Sequence, residues 1–210
     1  MSILADTTAF WVTSRAAGIA AMVCSSAAVT AGLLIGLKAV KTRTAELRAI
    51  HEGLALATLA AIALHAFVLL LDPWLHPSLG DILVPFAGDY APFWTGLGII
   101  AAWTLLALGA SYYVKDRIGA ARWRRLHRFT ALAWVLSVGH ALGAGTDAGA
   151  PWFLASMAIV VLPALTLLIV RLSGSEKAKA PAAPAAPAPR SEPVRPARPR
   201  AQSLLRPPAA

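Results

Sequence analysis

Five runs of the chain carry no Asp, Glu, Lys or Arg: 16–37, 53–71, 90–114, 129–146 and 148–170. A helix needs roughly 20 apolar residues, with a range of about 17–25, to cross the hydrocarbon of a bilayer. Each run is that long or contains a segment that is. The pattern predicts an all-α, polytopic membrane bundle of five transmembrane helices, over about 15–37, 49–71, 93–114, 126–145 and 150–171. Residues 1–14 read as a short outer segment and 15–172 as a single transmembrane domain.

The polar punctuation between the runs sets their order. The second ends at "DPW", where proline stops a helix. The segment 72–92, "DPWLHPSLGDILVPFAGDYAP", is a long outer loop with four prolines, and its "DILVPF" is expected to lie flat against the membrane surface. "KDRIGAARWRR" forms an inner loop, and "GTDAGAP" turns into the last span, which Pro163 is expected to kink. The first span is rich in Ala and Gly, which let membrane helices approach closely. From residue 173 the chain becomes Pro, Ala and Arg. A stretch of that composition has too little apolar surface to bury a core, so 173–210 is expected to be a disordered tail.

Composition supports this class: 58% of residues are hydrophobic and 14% charged, against about 25% charged in soluble domains. The net charge of +9 does not point to nucleic acid, because the basic residues fall in alternate loops. Lys38, Lys41, Arg43 and Arg48 lie between spans one and two. Lys115, Arg117, Arg122, Arg124, Arg125 and Arg128 lie between spans three and four. Arg171, Lys177 and Lys179 follow span five. The other loops hold Asp72, Asp81, Asp89 and Asp147 with no Lys or Arg. Basic loops stay in the cytoplasm. The expectation is a multi-pass cell-membrane protein with its amino terminus outside and its carboxyl terminus in the cytoplasm. The first apolar run is as long as a span and lacks a basic segment before it, so no secretory signal peptide is expected. Cys24 is alone in mid-span and reads as a small apolar side chain.

The candidate chemistry lies in the histidines. "HEGLALATLAAIALH" runs from His51 to His65, and "HRFTALAWVLSVGH" from His127 to His140. Spans two and four both run from inside to outside, so they are parallel. His51 and His127 then lie near the inner face and His65 and His140 toward the outer one. At ~1.5 Å rise per residue, each helix separates its two histidines by about 20 Å. Two helices thus offer two imidazoles at each of two matched depths. A haem iron takes two axial ligands on opposite sides, and neutral imidazole is a good one. Structural zinc wants four ligands converging at one point, whereas here they come in twos. Arg48, Arg124, Arg125 and Arg128 stand near the inner pair, and Arg15 near the outer, as partners for haem propionates. Fourteen residues at ~100° each return His51 and His65 to within about 40° of one face, but thirteen leave His127 and His140 about 140° apart on an ideal helix. A bend or altered turn near His127 or Gly139 is needed to reconcile them. Trp134 lies between the two depths, as packing or as an aromatic stepping stone. His76, in "WLHPS", reads as a solvated loop residue.

In these features, and in "WVTSRAAGIAA" at the first span, the chain resembles the ferric reductase-like transmembrane domain shared by ferric reductases and NADPH oxidases. Two-haem members of that family space their histidines 14 apart in one helix and 13 in the other, in the order found here. The resemblance covers roughly residues 10–171. It implies an inner b-type haem on His51 and His127 and an outer one on His65 and His140, hence a cytochrome b passing electrons outward. Many members continue into a module that binds FAD and NAD(P)H. Only about 40 low-complexity residues follow span five here, with no G-x-G-x-x-G fingerprint. The electron donor is therefore expected to be a cytoplasmic reductase, a quinol or a bound flavin, and the acceptor ferric iron, oxygen or a periplasmic protein. The related haem subunit of the periplasmic methionine sulfoxide reductase system also works with a partner. The competing reading is a non-redox scaffold or transporter subunit whose histidines bridge helices or carry protons.

The loop charges make orientation testable. A reporter fused after Ala210 is expected to be active only in the cytoplasm, and one inserted beside Gly80 only outside. The reverse pattern would overturn the assigned depths.

Overall fold

The computed structural model describes residues 2–40 and 42–179, with side chains from 8 to 174. No strand occurs among the described residues. The elements are α1 (Ser2–Gly36), α2 (Thr44–Leu70), α3 (Leu79–Leu83), α4 (Pro92–Ala110), a 3-10 turn (Ser111–Val114), α5 (Lys115–Ile118), α6 (Ala120–His127), α7 (Phe129–Ala144) and α8 (Pro151–Lys179). Four stretches are long and apolar enough to cross a membrane: Thr8–Gly36, Thr44–Leu70, Pro92–Ile118 and Pro151–Gly174. The chain is a helical membrane protein by the length and composition of these helices. Their outward faces are large and apolar, with Leu64, Phe67, Trp103, Ile159, Leu162 and Ile169 all exposed, as a lipid-facing surface requires.

Three elements differ in extent from the expected ones. α1 begins at Ser2, so the expected outer segment 1–14 is helical from there and continuous with the first span. The fourth expected span, 126–145, is not one helix. Arg128 interrupts it as a turn, and α7 is 16 residues long, about 24 Å at ~1.5 Å rise against a hydrocarbon thickness of about 30 Å. The tail expected to begin at residue 173 is still helix through Lys179, and from residue 180 it lies outside the described residues.

The helices form two antiparallel pairs. α1 packs along α2, α4 packs along α7, and α8 leans on α1. The buried face of α1 is made of small residues, including Ser14, Ala17, Ala21, Ser25, Ala28 and Ala31. Small side chains let backbones approach, which is how membrane helices gain packing energy without a hydrophobic drive between them. α2 and α7 scarcely touch through their backbones. The pairs are joined where α1 meets α7 and α8. Met22, Phe153 and Met157 form a buried cluster there, flanked by Ile19, Val138 and Ala141. Trp134 of α7 is 1% exposed and Ser26 of α1 is 0% exposed; the indole N–H donates to the Ser26 hydroxyl at 3.0 Å.

The outer loop is more ordered than its prolines suggest. The Asp72 carboxylate accepts from the backbone N–H groups of Trp74 and Leu75 at 2.8 and 3.1 Å. Ser78 and Asp81 form a capping box that starts α3. "DILVPF" packs on α4. The Leu83 carbonyl accepts from Trp103 Nε1–H at 2.9 Å, and the Phe86 ring packs against Gly96. Trp103 lies well along α4 from Pro92, about 16 Å down the axis at ~1.5 Å per residue. The segment therefore rests on the flank of α4.

The Trp134–Ser26 contact gives a graded expectation for stability in mild detergent. Trp134→Ala removes a fully enclosed indole and is expected to cost on the order of 3 kcal/mol or more. Ser26→Ala removes only an interhelical hydrogen bond, worth about 0.6 kcal/mol on average in membrane helices. Equal losses in a denaturation series would show that the indole is not packed as described.

Candidate functional site

The two helix pairs confront each other across histidine side chains. His51 of α2 and His127 at the end of α6 have ring centroids 6.0 Å apart with planes at 81°. His65 of α2 and His140 of α7 have centroids 6.4 Å apart with planes at 74°. The structure thus brings together the histidines that the sequence placed at matched depths, across helices and not along one. Two imidazole nitrogens each about 2 Å from a shared metal, with about 1 Å more from nitrogen to ring centre, put the ring centres about 6 Å apart. Both pairs have the spacing of two imidazoles on opposite sides of one ion.

Backbone partners fix three of the rings. His51 Nδ1 lies 2.8 Å from the Ala28 carbonyl oxygen. His65 Nδ1 lies 2.8 Å from the Ser14 carbonyl oxygen and 3.0 Å from the Ser14 hydroxyl. His140 Nδ1 lies 3.0 Å from the Trp94 carbonyl oxygen. A carbonyl oxygen only accepts, so Nδ1 carries the proton and donates. In a neutral imidazole the lone pair is then on Nε2, the arrangement that metal-ligating histidines adopt. Among the described residues no hydrogen bond uses Nε2 of these three rings.

His127 differs. Its Nδ1 is buried with no hydrogen-bond partner among the described residues, and its ring stacks on Trp123, centroids 4.8 Å apart and planes at 23°. Trp123 is held in turn by its Nε1–H, which donates to the Ser111 hydroxyl at 3.1 Å. The turn at Arg128 also reduces the rotation problem posed by the odd spacing of His127 and His140. The Ala131 N–H donates to the Arg128 carbonyl at 3.2 Å, three positions back. A 3-10 step turns about 120° per residue against about 100° in an α-helix. The tighter turn rotates His127 toward the face of His140.

The arginines are placed less uniformly. Arg15 is half-buried near the outer pair, next in the chain to Ser14. It makes an ion pair with Asp147 in the α7–α8 loop, its guanidinium lies 4.0 Å from the centre of the Trp11 ring, and its Nε is buried without a partner among the described residues. Arg125 is exposed on α6. His76 stands in the outer loop at φ 43°, and among the described residues no ring or hydrogen-bond contact joins it to the two pairs. No three His, Cys, Asp or Glu side chains converge among the described residues; the donors come in twos.

Sequence reasoning missed the carbonyls of Ser14, Ala28 and Trp94, and the roles of Trp123 and Asp147. A backbone acceptor has no side-chain signature. One signal was present: the interval from Gly18 to Gly32 in α1 equals that from His51 to His65 in α2. The two glycines face those two rings. In comparisons with known proteins, no family model, curated protein or solved structure matches the chain.

Proposed function

We propose that this protein is a membrane cytochrome b that carries electrons from the cytoplasmic side to an outer acceptor through two bis-histidine haems, as in the ferric reductase-like transmembrane domain. The observation that carries the reading is the pair of cross-helix imidazole couples, 6.0 and 6.4 Å between ring centres. Three of the four rings have Nδ1 bonded to a carbonyl, which leaves Nε2 for a metal. In this reading 126–145 is a fifth crossing, completed at its inner end by the basic α6, and the amino terminus is outside.

The residues present fit the group. His51 and His127 would hold an inner haem, and His65 and His140 an outer one. α2 and α7 scarcely touch through their backbones, so a flat group held by these histidines would have room between them. When bound, haem iron would supply reversible one-electron chemistry, with His51, His127, His65 and His140 as its protein ligands. The protein holds the ligand tautomer through the carbonyls, excludes water from the seam with apolar helices, and offers Arg15 at the outer end and Arg125 at the inner. Asp147 already engages Arg15, so a propionate there competes with a carboxylate. The donor would be a cytoplasmic reductase, a bound flavin or a quinol. The acceptor would be ferric iron, oxygen at the haem edge or a periplasmic protein. Structural imidazoles would satisfy the carbonyls equally well, but that role has no use for two cross-helix ring couples at about the same separation.

The purified protein is expected to be red. After dithionite it should show a low-spin haem spectrum with close to two haems per chain. No Soret absorption after expression with adequate haem would sink the reading, and one haem per chain would remove one couple. The couples should also fail as couples. His65→Ala and His140→Ala are expected to abolish one spectral component, His51→Ala and His127→Ala the other, and His76→Ala neither. Matching lesions from His51→Ala and His65→Ala, with none from His140→Ala, would overturn the cross-helix assignment.

A further inference from the structure

The three carbonyls that receive a histidine proton share one feature. Each lies one helical turn, four positions, before a glycine: Ser14 before Gly18, Ala28 before Gly32, and Trp94 before Gly98. In an α-helix the carbonyl of residue i already accepts the N–H of residue i+4. Its oxygen has a second lone pair, but the side chain at i+4 tilts back toward the helix N-terminus and stands over it. This chain shows what an ordinary polar side chain does there. Thr30 donates its hydroxyl back to Ser26, Thr58 to Leu54, Thr104 to Ile100, Ser137 to Ala133 and Ser156 to Trp152. Each of these takes the second lone pair for itself.

Glycine leaves the oxygen open, and the imidazole occupies the freed space. A Cβ at Gly18 would stand 3.3 Å from His65 Nδ1. One at Gly32 would stand 3.1 Å from His51 Cε1, and one at Gly98 only 2.6 Å from His140 Nδ1. At His127 the device is missing. The interval that separates His127 from His140, stepped along α4 from Trp94 and Gly98, reaches Ala107 and Ser111. Ser111 donates its hydroxyl to the Leu108 carbonyl at 2.6 Å and its backbone N–H to Ala107. There Trp123, resting on Ser111, holds the ring by stacking.

We propose that Gly18, Gly32 and Gly98 are positioning residues that open a helical carbonyl to a ligand histidine and thereby set how strongly its Nε2 donates to iron; the proposal rests on the two-haem reading above. An imidazole that donates its Nδ1–H to an oxygen is the more basic ligand, and stronger donation favours the ferric state. Closing a carbonyl raises the reduction potential of the haem on that side and leaves the other haem unmoved. Gly18 and Gly98 act on the outer couple, Gly32 on the inner.

The test is a redox titration of the full-length haem-loaded protein in lipid nanodiscs, following the two spectral components, with low-temperature electron paramagnetic resonance of the ferric form. Gly18→Ala should move the midpoint of the component lost in His65→Ala to more positive potential and change its g-values, with the other component fixed. Gly32→Ala should do the same to the component lost in His51→Ala. Gly98→Ala, the tightest position, should shift the outer component further or remove it alone. The control is Gly109→Ala. It adds a Cβ at 3.3 Å from Leu59 between α2 and α4 but touches no histidine, so it is expected to lower the melting temperature and leave both midpoints in place. A purely structural role for the glycines predicts that Gly18→Ala and Gly109→Ala behave alike, and that result would overturn the proposal. So would unmoved midpoints in both Gly18→Ala and Gly32→Ala, whose contacts need only tenths of an ångström of adjustment. A wild-type protein without haem removes the cytochrome reading and this proposal with it. Two haems that ignore these glycines remove this proposal alone.

Discussion

A helical carbonyl that serves two donors at once is the constraint around which this bundle is arranged. The oxygen of Ser14 closes a turn of α1 and also receives His65; that of Ala28 closes another turn and receives His51. The step forward from Ser14 to Ala28 equals the step back from His65 to His51, which is the signature of two antiparallel helices in a single register. Two such bonds, about 21 Å apart at ~1.5 Å per residue, pin α1 against α2 in both translation and rotation. The small buried face of α1 follows from this. An imidazole reaches a neighbouring backbone only if the helices lie close, and Ala17, Ala21, Ala28 and Ala31 permit that approach.

The α4–α7 pair is held by the same device at its outer end only. His140 reaches the Trp94 carbonyl, Tyr90 donates its hydroxyl to the Ala144 carbonyl at 3.0 Å, and the Trp94 ring packs against Gly143. Between the pairs, the buried Trp134–Ser26 hydrogen bond lies in the span between the two histidine couples, and the Arg15–Asp147 ion pair adds a second polar contact beside His65. A buried hydrogen bond there resists rotation of one pair against the other. Such rotation would open one couple and close the other. The tryptophan is thus well explained as packing that holds both imidazole couples at their separations together.

Much of this was legible in the sequence. Charge-free runs located the four membrane-length helices, and the matched spacings of His51 to His65 and His127 to His140 located the histidine couples. What was not legible has physical reasons. The expected span 126–145 took in Leu126 and His127, the last residues of α6, because "HRFTALAW" carries no break signal such as Pro or Gly; at the turn the Arg128 carbonyl accepts from the Ala131 N–H. The outer loop read as irregular because of its prolines, yet Ser78 and Asp81 formed a legible capping box. Its rest position on α4 depends on Trp103 meeting a backbone carbonyl, which no side-chain pattern encodes. Arg15 was identifiable as the lone outer basic residue, but its pairing with Asp147 joins positions far apart in the chain.

The odd spacing and the missing carbonyl both concern His127, at the junction of α6 and α7. α6 carries Arg122, Arg124 and Arg125 exposed and is set off from α7 by the turn at Arg128. The interval from His127 to His140 is one position shorter than that from His51 to His65. Opposite it, α4 ends at Ala110 and tightens into the 3-10 turn at Ser111, whose N–H and hydroxyl already use the Ala107 and Leu108 carbonyls. Ser111 also places a side chain over the Ala107 carbonyl, where the other three sites have glycine. The aromatic face of Trp123 takes over the orienting role, because stacking constrains the plane of a ring without requiring an acceptor. One carbonyl-bonded ring and one stacked ring in the His51–His127 couple are therefore a consequence of Ser111 standing where the other sites have glycine.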